Sequence, residues 1–306
     1  MGCGGAAPTV SMAERPFVDG PPGSADVCKA LARVAASTWG LDRPELLRMG
    51  MNATFACGPV VLRISRPTAP PTAAIDLATA LAGHGVRVAR PVRDDTVTDG
   101  DLAVTAWERL VPIDATADWT EIGRMVAVVH GLSRDDIPAA YPTPPCESFP
   151  WWRLDDLLHE LRPVIDEQAF IGLARVVARH RDWSTDVDRV VCHGDVHPGN
   201  VIMTADGPAL LDWDLLCMGP RGWDHAMLLR LARWGWPASW YDDFARGYGC
   251  SLAADPVAVA VAELRLVAAT LMRLRAGRAD PAAMPEAQRR LSFWRGDRDA
   301  PTFTAQ

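Results

Sequence analysis

Apolar positions recur along the chain in two periods. Ser24 heads a stretch in which Val27, Leu31 and Val34 share one helical face, which predicts a helix from Ser24 to about Trp39. The period then shortens to two: segments 45–51, 53–57 and 60–65 read as strands, with Gly58-Pro59 turning between the last two and Pro67, Pro70 and Pro71 ending the run. A helix is expected over 72–83 and a further strand pair over 86–92 and 102–108. From 119 helical spacing takes over, with Ile122, Met125, Val126 and Val129 on one stripe of 119–131. Five prolines make 138–150 a loop, and helices follow over 151–162 and 166–181. Strand character returns at 189–193, 200–204 and 208–213, with Asp206-Gly207 at a turn, before helices at about 222–234, 238–248, 255–276 and 284–294.

This order predicts an α+β chain of two lobes: a small antiparallel β lobe over 24–110 and a larger, mainly helical lobe over 111–306, behind a flexible tail at 1–23. A length of 306 residues fits that division. Composition narrows the function classes. At 49% hydrophobic and 23% charged residues the chain is an ordinary globular one. It has no uncharged apolar run of 18 residues, so no membrane partner is expected. A net charge of −7 speaks against a nucleic-acid binder. Seven scattered cysteines without a CxxC pattern suggest neither a disulfide framework nor a zinc site, and a reducing cytoplasm is expected. Residues 1–23 lack the apolar core of a signal peptide, and Ala6 stands where an N-myristoylation motif needs Ser or Thr.

The chemistry concentrates in 191–203, VCHGDVHPGNVIM, where His193, Asp195, His197 and Asn200 crowd a loop between two strand-like segments. Polar groups packed this densely need partners or a task. Asp212 follows twelve residues after Asn200, at the end of another apolar run, and two β arms would bring the two together. An amide oxygen and a carboxylate are hard ligands suited to a Mg²⁺ ion that bridges phosphates. Asp195 precedes Asn200 by five residues, the spacing of Asp and Asn in a kinase catalytic loop.

On these residues, His193-Gly194-Asp195, His197, Asn200 and Leu211-Asp212-Trp213, the chain resembles the aminoglycoside phosphotransferase and choline-kinase-like family, relatives of the protein kinases. The resemblance covers roughly 25–295 and implies a two-lobe protein-kinase-like fold. It implies that Asp195 is the catalytic base for the substrate hydroxyl, with His193 beside it orienting the loop. Asn200 and Asp212 would hold Mg²⁺ on the β- and γ-phosphates of ATP or GTP. His197 is expected in structural support, and Asp224 would brace the catalytic-loop backbone. Asp214 is a further metal or substrate candidate. The family often carries Asp between the residues that here are Gly219 and Pro220, and this chain does not.

The N-terminal lobe departs further. Residues 49–55, MGMNATF, resemble the family's phosphate loop, with Gly50 allowing close approach and Asn52 and Thr54 offering hydrogen bonds. The strand VVLRIS should carry a phosphate-binding lysine but has Arg63, and Lys29, the only lysine, lies on the first helix. Arg63 is therefore expected on the α- and β-phosphates, with Asp76 on the next helix replacing the family's glutamate as its ion-pair partner. By position, 104–110 is the hinge, bringing Trp107 and Glu108 near the nucleotide base. The acceptor is the least specified element. Tryptophans after residue 150 and the pairs Asp155-Asp156 and Asp242-Asp243 are compatible with a pocket, though helix packing and solvated faces account for them more simply. The expected activity is Mg²⁺-dependent phosphoryl transfer to a small-molecule hydroxyl, of an aminoglycoside-type or other antibiotic. The alternatives are a metabolic kinase of choline, homoserine, methylthioribose or a ketoamine, and a nucleotide-binding pseudoenzyme. No activation segment separates Asp212 from Asp224, which speaks against a typical protein kinase.

Overall fold

A computed structural model describes residues 20–304; the tail expected over 1–23 lies outside the described residues up to position 19. Helix α1 (Ala25–Trp39) begins where the Ser24 side chain accepts the Val27 N–H and ends at Gly40 in the left-handed region, φ 64°. Its inner stripe is Cys28, Leu31, Ala32, Ala35 and Ala36, whereas Val27 and Val34 are exposed. The expected stripe is thus rotated: the small side chains, not the valines, face the sheet and let the helix approach it.

Strands β1 (Glu45–Met49), β2 (Ala53–Cys57) and β3 (Val60–Ser65) precede α2 (Pro71–Gly83), β4 (Val97–Asp99) and β5 (Leu102–Glu108). They form one antiparallel sheet in the order β1-β2-β3-β5-β4. In β3, Val60, Leu62 and Ile64 pack in the core with α1, so Arg63 points to the opposite face. Registers Thr54↔Arg63 and Arg63↔Thr105 set these three side chains in a row on that face. The strand expected over 86–92 is not formed. Pro91 has no N–H to give, and the segment meets β5 through Val92 N to Ala106 O, Glu108 N to Arg90 O, Arg90 N to the Glu108 carboxylate and a single bridge at Trp107.

Helix α3 (Trp119–Gly131) opens the helical lobe, capped by the Asp118 side chain on Glu121 N. It is followed by α4 (Leu154–Leu161) and α5 (Glu167–Arg179). Four short strands come next: β6 (Val190–Cys192), β7 (Val201–Thr204), β8 (Gly207–Leu210) and β9 (Cys217–Gly219). The pairings are β6 with β9 and β7 with β8, all antiparallel. The β9 strand was not expected from its sequence. Helices α6 (Gly222–His225), α7 (Ser239–Tyr248), α8 (Pro256–Ala279) and α9 (Met284–Arg295) complete the lobe. The single helix expected over 222–234 is α6 followed by a 3₁₀ stretch, Leu228–Trp234, kinked at Arg230. Residues of α2 (Ala73, Leu77, Leu81) share a hydrophobic cluster with α3 (Ile122, Val126) and Leu210, so the lobes are joined by packed apolar surface. No helix among the described residues is long and apolar enough to cross a membrane.

Candidate active site

The loop after β6 is held from three directions. From α6, the buried Asp224 carboxylate accepts His193 N–H and Gly194 N–H, each at 2.8 Å, and lies 3.0 Å from His130 Nε2. From α8, Arg265 Nη2 donates to the Gly194 carbonyl. From the strand end after β8, the Leu211 carbonyl takes a hydrogen bond from His193 Nε2 at 3.0 Å. Gly194 has φ 94°, and a Cβ there would lie 1.9 Å from the Leu215 carbonyl oxygen, so only glycine fits.

His193 is fully buried and its second nitrogen accepts the Asp195 N–H at 3.2 Å. Burial lowers its pKa, and its ring packs 4.3 Å from that of Trp213. Expected beside Asp195 as an orienting group for the loop, it ties that loop to the Asp212 strand end.

Asp195 is partly exposed. Its Oδ2 takes Asn200 Nδ2 at 3.1 Å and lies 3.3 Å from His197 Nε2; its Oδ1 takes Arg265 Nη1 at 3.2 Å. Burial opposes its charge, but His197 and Arg265 outweigh this and hold its carboxyl well below the ordinary range. His197 is tied down by the Gly199 N–H on Nδ1 at 3.0 Å. Burial opposes its charge as well, yet Asp195 raises its pKa.

Asn200 also donates to the Asp195 carbonyl at 3.0 Å, which leaves its own amide oxygen for another partner. The β7–β8 hairpin brings the next strand end alongside, with Leu211 N on the Asn200 carbonyl at 2.9 Å. Asp212 stands there at φ 60°, a position that favours Gly or Asn, so the backbone is bent to aim this side chain. Burial and the neighbouring Asp214 push the Asp212 carboxyl up to about 6, against the pull of Arg63. An amide oxygen and two crowded, under-neutralised carboxylates form an all-oxygen donor set that fits a hard divalent cation such as Mg²⁺.

Arg63 crosses from β3 to this carboxylate pair. Its Nη2 pairs with Asp214 Oδ2 and lies 3.8 Å from Asp212 Oδ1. The Asn52 amide, with its nitrogen donating to the Met51 carbonyl at 3.2 Å, sets its oxygen 2.7 Å from the same Nη2. The expected Arg63–Asp76 pair is not made. Asp76 is exposed on α2, whose inward positions are the apolar Ala73, Ile75, Leu77 and Ala78, and Arg63 draws its counter-charge from across the cleft. Thr54 stands opposite Arg63 on the same sheet face. Gly50 closes its turn by donating to the Asn52 carbonyl at 3.0 Å, and a Cβ there would meet nothing closer than 4.0 Å, so the turn itself does not demand glycine. Trp107 is half-buried, its indole donating to Thr105 Oγ1 at 2.7 Å, and the Glu108 carboxylate accepts Arg90 N–H at 3.0 Å.

Sequence reasoning missed Arg265. Its signal was present: an arginine between Leu264 and Leu266 in a helix with few polar positions must find partners when buried. It also missed Tyr141, whose hydroxyl donates to the Trp213 carbonyl at 2.8 Å. The tryptophans at 151, 152, 183 and 223 pack on one another, and Arg265 lies over two of them, 5.5 Å from the Trp151 ring and 4.8 Å from the Trp223 ring. They are core, as are Trp119 and Trp240, which stack at 5.7 Å. Asp155 pairs with Arg181 and Asp243 with Arg246 at the surface. His130, Cys192 and Asp224 come close enough to hold a metal, but His130 is bound to Tyr248 and Asp224, both Asp224 oxygens are used, and burial raises the Cys192 thiol pKa.

A family model described as "Phosphotransferase enzyme family" matches residues 52–264. The homoserine kinase of Burkholderia lata is 30% identical over 149 residues, 44% of this chain and 43% of that protein, so the match spans less than half of either. The GDP complex of wild-type aminoglycoside 2′-phosphotransferase-IIIa superposes with a TM-score of 0.70 at 13% identity, covering 90% of this chain and 99% of the other. Amicoumacin kinase in complex with AMP-PNP, Ca²⁺ and Ami gives 0.66 at 16% identity, covering 92% and 98%. The likeness to the solved structures establishes a shared two-lobe, protein-kinase-like α+β fold.

Proposed function

The chain belongs to the phosphotransferase enzyme family, and on that premise we propose that it transfers the γ-phosphoryl group of ATP or GTP, with Mg²⁺, to a hydroxyl of a small molecule. The observation that carries the reading is the convergence of Asp195, Asn200, Asp212 and Asp214 on one cleft wall with Arg63 reaching in from the other. The acceptor oxygen attacks the γ-phosphorus, the bond to the bridging oxygen of the β-phosphate breaks, and the nucleoside diphosphate leaves. The hydroxyl proton passes to Asp195. Because its neighbours hold Asp195 strongly ionised, it is a weak base; it orients the hydroxyl and takes the proton late, which suits a loose transition state. Asn200 and Asp212 would hold Mg²⁺, which would supply charge neutralisation for the transferring phosphoryl group. Arg63 gives its guanidinium to the α- and β-phosphates, with Asn52 and Thr54 beside it and the 104–110 hinge toward the base. The buried free thiols suit a reducing, cytoplasmic setting.

For the acceptor we favour an aminoglycoside-type or other hydroxylated antibiotic, in line with the names of the proteins that share the fold. A small amino alcohol such as homoserine is the second reading, favoured by the 30% match. Calorimetric titration with Mg-ATP and Mg-GTP tests the site. Asn200→Ala and Asp212→Ala are expected to weaken metal-nucleotide binding by at least about tenfold; unchanged affinity in both would remove the metal assignment.

A further inference from the structure

The Asp195 carboxylate is addressed by donors of two origins. Asn200 and His197 belong to its own loop, and both approach Oδ2, at 3.1 and 3.3 Å. Both contacts fall on one oxygen, so the loop itself gives the other oxygen no donor. The one donor among the described residues that reaches Oδ1 is Arg265 Nη1, at 3.2 Å, from α8 seventy residues away. The other arm of the same guanidinium holds the Gly194 carbonyl. Arg265 is itself fixed: it is 6% exposed, and its guanidinium carbon lies 4.8 Å from the Trp223 ring centre and 5.5 Å from that of Trp151. Burying a guanidinium is costly, and here the ion pair and the two aromatic faces offset the cost. A tie that served only to pin the loop would need the bond to Gly194; the second arm touches the reacting group.

We infer that Arg265 is a positioning residue that fixes the plane of the Asp195 carboxylate, and so the direction in which it receives the acceptor hydroxyl. The inference rests on the phosphotransferase reading above. Lysine is a poor replacement, because its flexible point charge lacks the planar fork that addresses the Gly194 and Asp195 oxygens together and lies against the two indoles.

Arg265→Met and Arg265→Lys, made in the full chain in wild-type and Asp195→Asn backgrounds, test this by steady-state kinetics with the acceptor that turns over, or with water. Arg265→Met is expected to lower kcat by about 10²-fold, the cost of a misaimed group. Both KM values should stay within about twofold, and in the Asp195→Asn background the same change should cost less than about twofold, because there is no base left to aim. Arg265→Lys should recover melting temperature but little of kcat. Equal losses in both backgrounds, or a raised KM at unchanged kcat, would overturn the inference in favour of general support of the fold. A crystal structure of the Met variant gives a second readout: the Asp195 plane should turn while the loop backbone stays, and an unmoved plane would overturn the inference. Should the Met variant not fold, the Lys variant carries the same comparison. If wild type transfers to no acceptor, the phosphotransferase reading fails, while the carboxylate plane still decides the role of Arg265.

Discussion

Gly194 is held on both sides, its N–H by Asp224 and its carbonyl by Arg265, and has no room for a Cβ. Gly50, in the turn between β1 and β2, would accept a Cβ with nothing closer than 4.0 Å. The same contrast runs through the two regions. In the loop at 193–200 each polar side chain has a fixed partner inside the helical lobe. On the sheet face, Arg63 leans on carboxylates of the other lobe and Asp76 faces solvent. The loop is thus braced within its own lobe, whereas Arg63 is braced across the cleft. Preorganised charge needs no rearrangement at the moment of reaction, which is where such fixing has most effect.

The contrast is broken most directly at Asp195. Asp195→Asn is expected to cut turnover by ~10²–10⁴ and leave nucleotide affinity unchanged in a binding titration. Asp224 comes next. Asp224→Ala leaves His193 N, Gly194 N and His130 without their acceptor and is expected to cost ~3–5 kcal/mol in denaturant unfolding at neutral pH. Burial opposes the charge on Asp224, but the His130 contact and the backbone N–H bonds lower its pKa. A lowered carboxyl pKa stabilises above the ordinary value and loses that contribution as pH falls through the lowered one, so the gap between variant and wild type should narrow below about pH 4. On the sheet side, Arg63→Met should raise the KM for nucleotide by about tenfold, the worth of a charge-assisted contact, and leave the melting temperature nearly unchanged. Asp76→Ala should change neither kcat nor KM by more than about twofold. A loss at Asp76 comparable to that at Arg63 would restore the pairing that the sequence suggested.

Residues at short, fixed separations were legible: the loop from His193 to Asn200 and the Asp212 strand end fall together because hairpins translate spacing into proximity. The cap at Ser24 was legible too, because it acts within one turn. Contacts set by the packing of distant elements were not. Arg265 reaches Asp195 across seventy positions, and Arg63 reaches Asp214 across 151. The 86–92 run alternates like a strand, but Pro91 breaks its ladder, while Cys217–Gly219 carries no strand pattern and pairs because Val190–Cys192 lies beside it. The inward face of α1 was misjudged for a related reason: hydrophobicity favoured the valines, and close approach to the sheet favoured the alanines.

The central claim is tested most directly by nucleotide consumption with Mg²⁺, using ATP and GTP against a panel of aminoglycosides, other hydroxylated antibiotics, homoserine, choline and sugar derivatives, with the Asp195→Ala protein alongside. The account predicts acceptor-dependent turnover that the variant loses while still binding Mg-nucleotide. Acceptor-dependent turnover that survives in the Asp195→Ala protein, or tight Mg-nucleotide binding with no transfer to any acceptor or to water, would contradict it.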